Sequence, residues 1–180
     1  MIQRVFVSLV LVAIIIPSPV ARALDDSALL LTDEQIGLIR TNCVAAQSTM
    51  TRIHANDALM WVNLSQQFNA IGSRLMAPLN SRIAANKLDG IDLAQTTVDY
   101  TKEVEEFRAV YRDYEQTMSD ALQVDCRNQP VGFYDSVALI REKRVAVHES
   151  VKKLQAFVQQ YRTQFDEFRA RVEQQKAAKR

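Results

Sequence analysis

The sequence predicts an all-α protein: an elongated antiparallel three-helix bundle with coiled-coil heptads and a short helix after Pro78. Three observations predict it. Glycine and proline number only four each in 180 residues, and of the six past the N-terminal leader four cluster at Pro78–Gly90 and Gln129–Gly132. The stretches between are rich in Ala, Gln, Arg, Glu, Leu and Val, with no alternation of apolar and polar residues of the kind a half-buried strand needs. Apolar residues instead recur at alternating spacings of four and three.

The N-terminus, MIQRVFVSLVLVAIIIPSPVARA, is set aside first. A basic residue (Arg4), an apolar run from Val5 to Ile16 and the small-residue site Ala21-Arg22-Ala23 form an export signal over 1–23, with cleavage after Ala23. The run is about 12 residues, and a bilayer-spanning helix needs roughly 20. Retention of the segment would leave a membrane-anchored envelope protein. Residues 24–31 read as a linker, 32–175 as the bundle domain and 176–180 as a basic, frayed tail.

The first helix opens at Thr32, with Gln35 three residues on completing a capping box. Its stripe runs through Ile36, Ile39, Cys43, Ala46, Met50, Ile53, Asp57, Met60 and Leu64, then shifts to Phe68, Ile71, Leu75, Leu79 and Ile83. Pro78 removes a backbone donor and is expected to break the helix there. The second helix, about Leu93 to Val124 with Asp92 as cap, carries Leu93, Thr97, Tyr100, Val104, Phe107, Tyr111, Tyr114, Met118 and Ala121. In the third, Pro130 suits the first turn behind an Asn128 or Gln129 cap. Its seam continues for more than five heptads from Phe133 to Val172, and only Arg144 interrupts it.

The cysteines test this architecture. An exported chain meets oxidising conditions, so an even pair is first read as a disulfide, with reactive or metal-binding thiols second because neither has a CxxC or His partner nearby. If helix 1 ran straight to Lys87, Cys126 would sit level with about residue 54, roughly 16 Å from Cys43 at 1.5 Å per residue, too far for a bridge. A break at Pro78 brings position n of helix 2 opposite about 170 minus n and places the two cysteines together. The same register sets Arg144 beside Asp57, a buried polar layer that fixes the alignment; alternatively, either residue rotates out at the seam edge.

Composition narrows the function. Without the leader there are about 20 basic and 21 acidic residues, so no electrostatic drive toward nucleic acid exists. His54 and His148 lie too far apart in height to share a metal. The methionines and aromatic residues fall mostly on the apolar stripes and read as core rather than as a copper, haem or base-stacking site. Glu103, Glu105 and Glu106 read as a solvated face. Trp61, beside the seam, either covers its edge or is exposed as a partner contact. Asn63-Leu64-Ser65 fits a glycosylation acceptor but falls mid-helix. No serine elbow, phosphate loop or dinucleotide fingerprint is present.

The runs TNCVAAQSTMTRIHANDALMWVN, RLMAPLNSRIAANKLDG and VDCRNQPVGFYD resemble a group of uncharacterised exported proteins of candidate-phylum, Saccharibacteria-type bacteria. The resemblance spans nearly all of the mature chain and implies a location outside the cytoplasmic membrane; it adds no catalytic residues. The expectation is a non-enzymatic extracytoplasmic scaffold or protein-interaction module at the cell envelope, with no cofactor and no metal. Its partner would be an envelope protein or a second copy in a homo-oligomer, since the stripe Phe68, Ile71, Leu75 is expected to be uncovered. A bundle that binds a small ligand or metal is the alternative.

Overall fold

The computed structural model describes residues 31–178. The export signal, most of the linker and the last two residues lie outside the described residues. The helical unit starts at Thr32 and is all-α, with no strand among the described residues. It comprises α1 (Asp33–Ala70), a π-helical stretch (Ile71–Met76), α2 (Ala77–Ala85), α3 (Ile91–Gln123) and α4 (Pro130–Ala178). No helix among the described residues is long and apolar enough to cross a membrane.

α1 begins at the expected capping box. The Thr32 amide donates to Gln35 Oε1 at 2.8 Å and the Gln35 amide donates to Thr32 Oγ1 at 3.3 Å, so two of the orphan donors at the helix start are satisfied. α3 starts two residues before the expected position, at Ile91, with Gly90 as its cap. Asp92 therefore lies in the first turn, where its charge faces the positive end of the helix. α4 runs through residues 176–178, so that part of the expected frayed tail is helical.

The regular α-helix expected to break at Pro78 is interrupted just before it by the π stretch, the chain stays helical through Pro78, and the short helix expected there is α2, Ala77–Ala85. Ala70 and Ala77, flanking the π stretch, are both right-handed helical, and Pro78 falls in the first turn of α2. The Ala77 amide reaches back five residues to the Gly72 carbonyl. A wider turn draws the preceding carbonyls away from the proline ring, relieving the clash that ordinarily ends a helix. The chain reverses only at Asn86–Gly90, where Lys87 takes φ 54°.

The π stretch also moves the apolar face by one residue. Met76 is buried and Leu75 is 64% exposed, the reverse of the expected stripe. Earlier in α1, Trp61 is buried and Met60 is exposed, a four-residue step from Asp57 that drops the face out of heptad phase. Two tyrosines from the neighbouring helices bracket the π stretch. Tyr100 donates to the Phe68 carbonyl at 2.9 Å with its ring against Gly72, and Tyr161 donates to the Met76 carbonyl at 3.4 Å. Carbonyls disturbed by the change in winding thus find donors, as buried backbone requires.

On α3 and α4 the expected positions are buried or half-buried throughout, except Arg144. Tyr100, Phe107, Tyr114, Val147 and Leu154 are fully enclosed. Pairings between α1–α2 and α3 descend on one side as they climb on the other. Cys43 meets Cys126, Asp57 meets Tyr114, the Phe68 carbonyl meets Tyr100 and Asn80 meets Thr97. α4 packs along α3 over much of its length, whereas α1 touches α4 at far fewer places.

Candidate functional site

At the base, Cys43 and Cys126 are both buried and lie at disulfide distance, with Cα atoms 5.5 Å apart across 83 positions of sequence. The turn that presents Cys126 is built by Asp125. Its carboxylate accepts from the amides of Asn128 at 3.2 Å and Arg127 at 3.0 Å, and from Asn128 Nδ2 at 2.7 Å. Those bonds, the Asn128 ones first, hold the carboxyl below its ordinary range. Asn128 thus serves the turn through Asp125. Gln47 of α1 closes the junction by donating to the Val124 carbonyl at 2.9 Å.

About 21 Å above, by helical rise along α1, sits the polar interruption. Asp57 is 5% exposed, and its two carboxylate oxygens have separate partners. Tyr114 Oη donates to Oδ2 at 2.6 Å and Arg144 Nη2 donates to Oδ1 at 3.1 Å. The layer differs from expectation in one respect: the Arg144 side chain is half exposed. The buried partner of Asp57 is Tyr114, whose hydroxyl pKa is pushed well up by burial and then by the adjacent carboxylate. A guanidinium at the edge keeps most of its hydration while one N–H neutralises the carboxylate, which avoids desolvating two charges.

Trp61 is 5% exposed, which corrects the reading of it as an exposed contact. It packs on Phe107 and Tyr111 with centroids 6.1 and 6.4 Å apart, and its indole Nε1 has no hydrogen-bond partner. Its neighbours Leu59, Met60 and Val62 carry the exposed apolar surface instead. His54 Nε2 lies 2.7 Å from Glu115 Oε1, and Tyr111 donates to Glu115 Oε2 at 3.3 Å. Burial foremost, helped by Glu115, raises the Tyr111 pKa to about 12. Glu103 departs from a solvated face: it accepts from Ser150 at 2.7 Å and faces Lys153 at 4.0 Å. Among the described residues, no group of three or more His, Cys, Asp or Glu side chains gathers in a metal-binding cluster.

Between these two levels, α1 and α4 part. The slot between them holds about 710 Å³, with Ala45, Ala46 and Thr49 on one wall, Phe133, Val137 and Ile140 on the other, and Tyr114 and Met118 of α3 at its floor. Arg141 and Arg144 close its upper end, and no Asp or Glu among the described residues lines it. The expected stripes include Ala46, Phe133, Val137 and Ile140 but not Ala45 or Thr49, and they do not imply that the walls separate. Of the stripe expected to be uncovered, Phe68 is buried, Ile71 half-buried and Leu75 64% exposed.

Comparisons with protein-family models, with curated proteins and with solved structures give no match to this chain.

Proposed function

We propose that the protein is a non-enzymatic, extracytoplasmic helical module that acts as a scaffold or protein-interaction element at the cell envelope. In this reading residues 1–23 export the chain, and an elongated antiparallel three-helix bundle with coiled-coil heptads forms outside the cytoplasmic membrane. Retention of the leader would tether the same module to the membrane. The exported location is also what the resemblance to Saccharibacteria-type exported proteins implies.

The cysteine pair carries the reading. Two buried cysteines 83 positions apart, with Cα atoms at 5.5 Å, are placed for a structural bridge, and such bridges persist in oxidising compartments. The lengths support a spacer role: α3 has 33 residues and α4 has 49, about 50 and 73 Å at the helical rise. The exposed apolar group Leu59, Met60 and Val62, held in place by the buried Trp61, is the surface for a protein partner.

Site-specific photo-crosslinking from Leu59 in intact cells, in the full chain, tests this. The expected result is a discrete adduct with an envelope protein, or one of twice the chain mass if the partner is a second copy. A chain found in the cytoplasm with two free thiols, or an exported chain that yields no adduct, would overturn it.

A further inference from the structure

The slot between α1 and α4 has a ligand chemistry of its own, and we propose that it binds a long-chain fatty acid, carboxylate at Arg141 and Arg144, hydrocarbon chain running down toward Leu38. The inference goes beyond the scaffold role.

Three features select this occupant. The first is an apolar floor. Met50, Tyr114, Met118, Phe133 and Ile140 line the slot and each is at most 9% exposed, while Leu38, Ala45, Thr49 and Tyr134 at its mouth are exposed, so a single hydrocarbon chain can enter from water and lie on apolar side chains. The second is length and volume. The α1 wall runs from Leu38 to Ile53, about 22 Å at the helical rise, the scale of an extended long acyl chain. Its volume of about 710 Å³ falls among ligand pockets generally.

The third is charge. Both charged side chains that line the slot are arginines, and they sit together at one end. Arg144 spends one N–H on Asp57, and a guanidinium has five. Among the described residues, Arg141 forms no ion pair. A carboxylate there gains charge-assisted bonds from a planar donor suited to it, while its chain removes apolar wall from water.

The experiment is isothermal titration of the purified mature protein with sodium oleate below its micelle concentration. Methyl oleate and phosphatidylglycerol vesicles serve as parallel probes. Saturable one-to-one binding of oleate is expected, weakened about tenfold in Arg141→Glu, the loss of about one charge-assisted contact, and abolished by Ala46→Trp, which fills the slot. Methyl oleate should bind more weakly than oleate. No oleate binding, oleate binding unchanged in Arg141→Glu, or binding to the vesicles in place of oleate would each overturn the proposal. If Ala46→Trp fails to fold by circular dichroism, the exposed Arg141→Glu still decides the matter. Crosslinking from Leu59 is expected to persist in Arg141→Glu, so failure of the slot and failure of the scaffold reading are distinguishable.

Discussion

Replacing Arg144 with methionine removes the cation that touches the nearly buried Asp57 carboxylate. Asp57, 5% exposed, would keep the 2.6 Å bond from Tyr114 and lose its charge partner at 3.1 Å. Stranding a buried charge costs roughly 3–5 kcal/mol. Because the Arg144 side chain is half exposed, water replaces part of what it supplied, and the expected loss is about 2 kcal/mol. The complementary change separates the layer's parts. Asp57→Leu frees Arg144 into water at little cost but leaves the enclosed Tyr114 hydroxyl unbonded, a penalty of roughly 1–3 kcal/mol. Adding Tyr114→Phe should recover most of that loss. The assay is urea unfolding followed by circular dichroism, with Arg144→Met measured both in the natural chain and in the Asp57→Leu variant. A coupling near 2 kcal/mol is expected, since Arg144→Met should be almost neutral once Asp57 is gone. Equal cost in both backgrounds would refute the reasoning, for Arg144 would then act through packing alone.

Further outcomes follow from single contacts. Burial raises the pKa of Tyr100 and Tyr111 to about 12 and also raises that of Tyr161. Folded values above the unfolded 10 mean stability that is complete below pH 10 and lost as pH rises toward 12; for the enclosed Tyr100 this is about 2–3 kcal/mol. In Tyr134→Phe, which removes the exposed tyrosine, tyrosinate absorbance should therefore appear together with loss of helix, and titration near pH 10 with the helices intact would contradict it. A Cβ at Gly90 would stand 2.6 Å from Ile83 Cγ2, so Gly90→Ala should lower stability by about 1–2 kcal/mol through overpacking alone, φ being ordinary there. Tyr100→Phe removes the donor to the Phe68 carbonyl and should cost about 1 kcal/mol or more, read as a lower melting temperature.

The apolar positions expected on α3 and α4 were legible from their spacing, and the structure buries or half-buries each of them. α1 was less so. Its face slips at Trp61 and again across Ile71–Met76, and a change of winding leaves no mark in apolar spacing when Met60 and Trp61, or Leu75 and Met76, are equally apolar neighbours. Pro78 was read by its intrinsic cost, which the π turn and two tyrosine donors offset in the folded chain. Tyr114 as the partner of Asp57 could have been found, since the register that places Cys43 opposite Cys126 also sets Asp57 against that part of α3. The α1–α4 slot could not, because the distance between two apolar walls is a tertiary quantity. Glu103 was judged from its acidic neighbours, whereas Ser150 across the helix interface decides its surroundings.

The register and the proposed exported location both turn on a bond between Cys43 and Cys126, whose Cα atoms lie 5.5 Å apart. By chain entropy, closing an 83-residue separation contributes at most about 4.5 kcal/mol. The decisive measurement is thiol counting on denatured, unreduced protein recovered from outside the cytoplasmic membrane, with mass mapping of the linked peptides. No free thiol and one peptide pair joining Cys43 to Cys126 is the predicted result; two free thiols would contradict it.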